Sequence, residues 1–174
     1  MALKTLKSIV SKIENTCVYD IAIRTPLEKA SSLSRKLDNN IFIKREDLQP
    51  IFSFKLRGAY VKIKNLIDKK KIKSIIAASA GNHAQGVAMS ALKLGIKAII
   101  VMPKTTPLIK VDAVKLLKAK VILHGDSYDD AYSYAVKKSK MDKLDFIHPY
   151  DDEDVISGQG TMAMEILQQV DNKP

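Results

Sequence analysis

Tryptophan is absent, and cysteine occurs once, at Cys17, in a chain of 174 residues. One thiol excludes an internal disulfide framework and fits a reducing compartment, so the cytoplasm is the expected location. Every apolar run is interrupted by charge well short of a membrane span, so no membrane contact is expected. Residues 1–9 carry lysines at helical spacing and lack the apolar core of a signal peptide. His83, His124, His148 and Cys17 show no ligand spacing for zinc, and no metal site is expected. Arginine is scarce too: four, against 25 lysines. That bears on the net charge of +10, which could otherwise mark a nucleic-acid binder. Arginine is the usual reader of bases and phosphates, and the lysines are scattered along the chain. The densest cluster, residues 69–71 with Lys73, falls where a solvated loop is expected, so nucleic acid is not an expected partner.

What is present is an apolar fraction of 46%, enough for a globular core in one ordinary domain or part of a larger one. Leu3, Leu6, Ile9, Val10 and Ile13 share one face, which predicts an amphipathic helix over 3–15. Pro26 makes 24–27 extended or a turn, and 41–44 reads as a short strand. A helix follows over about 54–68. From there apolar strands at 74–78, 97–101, 120–123 and 145–147 alternate with helices at 83–94, 107–118, 127–140 and 157–169. This alternation predicts βαβ units and an α/β fold: a three-layer parallel sheet with helices on both faces. The last residues, 171–174, form a turn signal of the kind that joins to another element.

Two stretches carry chemistry. In Ser53-Phe54-Lys55-Leu56-Arg57-Gly58-Ala59, Lys55 lies among apolar residues at the mouth of a helix, with a second cation at Arg57. Burial and a nearby cation both favour a neutral, nucleophilic amine able to form a Schiff base with a carbonyl cofactor. Equally, apolar neighbours can bury only the stem of a solvated lysine. The second stretch, residues 79–88, follows a strand and opens a helix. Backbone N–H groups there bind anions, and Gly81 allows close approach, with Ser79, Asn82 and His83 adding short polar groups. The alternative is an ordinary turn capped by Ser79 or Asn82. Elsewhere, His124 and His148 read as packed or loop histidines, and Asp126 with Ser127 as a helix cap. Residues 151–154 read as an electrostatic cap for the last helix, and Gly158-Gln159-Gly160-Thr161 as a close-packing stretch or a pocket lining.

With these residues in place, the chain resembles the pyridoxal-phosphate-dependent threonine dehydratases of the fold type II, tryptophan-synthase-β-like superfamily. The matching stretches run in order from about residue 20 to 169: Arg24-Thr25-Pro26-Leu27, residues 44–49, 53–59 and 79–88, Val101-Met102-Pro103, Thr106-Pro107, Leu123-His124-Gly125 and 148–165. The resemblance implies that Lys55 forms the Schiff base with pyridoxal 5'-phosphate and shuttles protons. It implies that Asn82 bonds the cofactor's 3-hydroxyl and that Ser79, Gly81 and His83 receive the substrate carboxylate. The implied reaction is β-elimination of water from L-threonine, or from L-serine, giving 2-oxobutanoate and ammonia from threonine as the first step toward isoleucine. A homo-oligomer, a tetramer in the family, is implied as well. So is a division into residues 1–52 of a large domain, a small cofactor domain at 53–150, and a return to the large domain at 151–174. Ala80 stands where the related serine racemases carry an acid/base serine, which favours dehydration. Lys118 replaces a glycine usual in the family. The glycine-rich phosphate cup and the residue meeting the pyridine nitrogen belong beyond residue 174, so an N-terminal fragment with weak cofactor binding is expected. Alternatives are a chain with no catalytic role and a serine/threonine dehydratase of catabolic type.

Overall fold

The computed structural model describes residues 2–170, with side chains from residue 7 onward. The N-terminal periodicity forms α1 (Ala2–Glu14), although its Leu3 and Leu6 side chains and the turn expected at 171–174 lie outside the described residues. Between α1 and Lys55 the structure has the short strand expected at 41–44 and adds pieces too short for periodicity to announce. A short 3-10 turn (Val18–Asp20) leads to β1 (Leu27–Lys29), which pairs antiparallel with β2 (Phe42–Lys44). The six-residue α2 (Ser31–Lys36) joins the two strands.

The regular part follows the alternation. Helix α3 (Lys55–Lys69) leads into β3 (Ser74–Ala78), α4 (Asn82–Lys93), β4 (Lys97–Met102), α5 (Leu108–Leu116), β5 (Lys120–Leu123), α6 (Tyr128–Met141), β6 (Asp145–Phe146) and α7 (Glu153–Gln169). The four strands are parallel, in the order β5-β4-β3-β6. Residues of alternate parity face opposite layers, as a pleated strand requires. Ile75, Ala77, Ile100 and Met102 pack with Ala59 and Ile63 of α3, Val87 and Ala91 of α4, and Val111 and Val114 of α5. Ile76, Ala78 and Val101 pack with Ala131 and Ala135 of α6 on the other face. The sheet is therefore covered on both sides, which is why β3 reads as a continuous apolar run.

Strand order positions the site. From β3 the chain steps outward through β4 to β5, then α6 carries it back across the other face to β6, on the far side of β3. Order reverses between β3 and β6, which makes their carboxyl ends the topological switch point where open α/β sheets bind ligands. Helix α7 begins one turn before the expected residue 157. Asp152 caps it, its Oδ1 accepting from Asp154 N at 2.9 Å and Val155 N at 3.2 Å. The helix lies against α3 rather than the sheet, and its Gly160 faces Ile13 of α1. Among the described residues no helix is long and apolar enough to cross a membrane.

Candidate active site

Lys55 is the first residue of α3, half-buried, near the carboxyl end of β6. Its Nζ donates to the carbonyl oxygen of Pro149 at 2.9 Å, just past β6, and stands 5.3 Å from the centroid of the Phe54 ring. Burial pushes the amine's pKa below that of a free lysine. The lysine therefore reaches inward with its head group as well as its stem.

Arg57 does not supply the cation expected beside it. The guanidinium is fully buried and its charge is spent on carboxylates. Glu46 accepts from Nε and Nη2 at 2.8 Å each, and Glu165 accepts from Nη1 at 2.6 Å. Lys44 reaches Glu165 at 2.5 Å, and Tyr19 Oη donates to Glu165 at 2.8 Å. Burial alone would raise Glu46 and Glu165, but hydrogen bonds from Arg57 hold both below the usual carboxylate range. The network ties the segment before α3, α3 itself and α7 together, two residues from Lys55. Partners so far apart in the sequence leave no local signal, and sequence reasoning missed them.

The second stretch lies where expected, between β3 and α4. Ser79 Oγ accepts from Gly81 N at 3.2 Å, and Gly81 is the N-cap with no side-chain cap bond. Asn82 is exposed and its side chain forms no hydrogen bond among the described residues, so it is not spent as a cap. His83 turns inward, with Nε2 3.1 Å from the carbonyl oxygen of Ile147. A carbonyl only accepts, so Nε2 carries the proton. Burial pushes His83 down to about 4, leaving it neutral at pH 7. His83 and Lys55 thus bond to carbonyls two residues apart on the β6 extension. Gly86 brings α4 onto the start of α3, since a Cβ there would meet the Lys55 carbonyl oxygen at 3.0 Å. Pro149, Ile147 and Gly86 are site-building residues that sequence reasoning passed over. Of these, Gly86 alone left a trace, a glycine inside a helical pattern.

These residues suit a carbonyl cofactor carrying an anionic group: an amine with a lowered pKa, an unengaged amide at Asn82, and a helix start with free N–H groups. A Cβ built on Gly81 meets nothing within 4 Å, so the loop borders open space there. Residues 18–174 match the family described as pyridoxal-phosphate dependent enzyme. The chain belongs to that family. Within this family of pyridoxal-phosphate enzymes it is 58% identical over 153 residues to the biosynthetic L-threonine dehydratase IlvA of Haemophilus influenzae, covering 88% of this chain and 30% of that protein. It is 54% identical over 160 residues to the chloroplastic biosynthetic threonine dehydratase of Arabidopsis thaliana, covering 92% of this chain and 27% of that one. The chain thus spans less than a third of these curated relatives. Among solved structures, the processed form of threonine deaminase isoform 2 from Solanum lycopersicum superimposes with a TM-score of 0.91 at 49% identity, over 97% of this chain and 46% of that one. Maize serine racemase gives 0.85 at 32% identity, over 94% and 49%.

Proposed function

We propose that the chain is the lysine-bearing part of a pyridoxal-phosphate-dependent threonine dehydratase, converting L-threonine to 2-oxobutanoate and ammonia. The observation that carries this is Lys55, half-buried beside the β3–β6 switch point with its Nζ on the Pro149 carbonyl and its pKa lowered. When bound, pyridoxal 5'-phosphate supplies an aldehyde for the amine and a conjugated ring that draws electrons from the substrate's α-carbon. Lys55 holds the cofactor in the absence of substrate and then takes the α-proton at Nζ, which requires the neutral amine that burial favours. Ser79 and the N–H groups opening α4, with Gly81 clearing the approach, receive the substrate carboxylate. His83 acts from beneath by tying that loop to Ile147. Asn82 donates to the ring hydroxyl.

Dehydration is preferred over racemisation because Ala80 has no group that can return a proton to the opposite face. L-Serine is a second substrate of the same chemistry. The domain division at 52/53 and 150/151, a cytoplasmic location and a homotetramer belong to the same proposal. The lone half-buried Cys17 supports a reducing compartment. Titrating the purified chain with pyridoxal 5'-phosphate tests the assignment. The visible band of a lysine-linked pyridoxal is expected in the wild type and missing in Lys55→Ala. An equal band in both proteins would show that another lysine reacts and would overturn it.

A further inference from the structure

His148 takes no part in the chemistry proposed above, yet it stands beside the carbonyl that holds Lys55. Its Nδ1 accepts from the backbone N–H of Asp151 at 2.8 Å and of Tyr150 at 3.3 Å. An amide N–H only donates, so Nδ1 keeps its lone pair and the neutral ring carries its proton on Nε2. Aromatic neighbours fix the ring: Tyr150 lies edge-on at 4.7 Å between centroids, Tyr132 at 6.2 Å and Phe146 at 6.3 Å. The two amide bonds close the turn over 148–151. Pro149, inside that turn, is buried, and its carbonyl oxygen accepts from Lys55 Nζ at 2.9 Å.

We propose that His148 is a pH-sensitive positioning residue: its neutral ring ties the turn that presents the Pro149 carbonyl to Lys55, and its protonation unties it. The proposal rests on the reading of Lys55 as the carbonyl-reactive amine. Once Nδ1 is protonated it is a donor facing two donors, so both bonds are lost together and the lysine's tether loosens. The titratable groups around the ring are Tyr132 of α6, Tyr150 and Asp151 of its own turn, His83 of α4 and Lys55 of α3. His83 stays neutral above about 4. The turn is therefore tied while the His148 ring is neutral and untied once it is protonated.

Two measurements on the full chain test this, in the wild type, His148→Asn and His148→Phe. Asparagine offers a side-chain oxygen to the same amides without titrating, whereas phenylalanine keeps the aromatic packing and removes the acceptor. The first measurement is hydrogen-exchange protection of the Tyr150 and Asp151 amides. The second is capture of Lys55 by pyridoxal 5'-phosphate and borohydride, scored by peptide mapping against the exposed Lys110. Wild-type protection is expected to fall about tenfold from about pH 7.5 to about pH 5.5, with the Lys55 to Lys110 ratio falling alongside it. His148→Asn should hold both readings flat, and His148→Phe should be low at either pH. Wild-type protection in His148→Phe, or one shared pH dependence in all three proteins, would overturn the role of His148. Protection that follows His148 while Lys55 is never captured in preference would support the turn and overturn the reading of the lysine.

Discussion

Lys118 holds a φ of 61°, in the left-handed region, on the turn that ends α5, where its N–H donates to the Lys115 carbonyl at 2.8 Å. An L-residue there costs about 1–2 kcal/mol, and glycine costs none of it. Lys118→Gly relieves that strain but adds freedom to the unfolded chain. The net expectation is about 0.5–1 kcal/mol of added stability, read as a higher urea midpoint with an unchanged slope. An unchanged or lower midpoint would show that the strain is absorbed elsewhere. The position stood out in the sequence because a lysine replaces the glycine usual in the family. Lys55 was legible for a different reason, its apolar neighbours, and it is half-buried, although Phe52 and Phe54 are themselves exposed. Of the two causes expected for its lowered pKa, burial holds and the cation does not: Arg57 sits two residues away but is neutralised by Glu46 and Glu165.

At the scale of elements, the strands and crossover helices from β3 to α6 were legible because short apolar runs alternate with helix-length segments. The crossing of α3 with α7 was legible only in part: Gly158 packs closely, one of the two readings of 158–161, but nothing local named α3 as its partner. A Cβ on Gly158 would stand 2.6 Å from the Arg57 carbonyl oxygen and 2.7 Å from the Gly58 Cα, both backbone atoms that cannot swing aside. Gly158→Ala must therefore separate the helices and strain the Arg57 network. A loss of about 3 kcal/mol is expected in urea unfolding. Gly81→Ala is the contrasting case, because its new methyl meets nothing within 4 Å and its φ of −145° lies outside the left-handed region. Stability should stay within about 0.5 kcal/mol of the wild type, while the methyl intrudes on the open space beside the loop and weakens capture of pyridoxal 5'-phosphate. If Gly81→Ala bound the cofactor as well as the wild type, the open space above that loop would not be the ligand's.

For the whole molecule, the buried ionisable groups decide how folding responds to acid. His83 titrates at about 4 in the folded chain against 6.5 when free. As pH falls below 6.5 the unfolded chain takes up a proton that the folded chain refuses until about 4. Stability from this group is therefore complete above 6.5 and declines through that interval, by about 3 kcal/mol in all. Glu46, Glu165 and Asp152 have folded pKa values below the usual range, so their contribution is present above that range and is lost only at lower pH, as they protonate. Two stages of acid destabilisation follow, the first from one buried histidine and the second from paired carboxylates. Urea midpoints measured from about pH 7.5 down to about pH 4 should fall steadily in the wild type. His83→Gln keeps a donor for the Ile147 carbonyl but cannot protonate, so its midpoint should fall less than that of the wild type between about pH 6.5 and about pH 4. The same decline in both proteins would remove His83 as the cause.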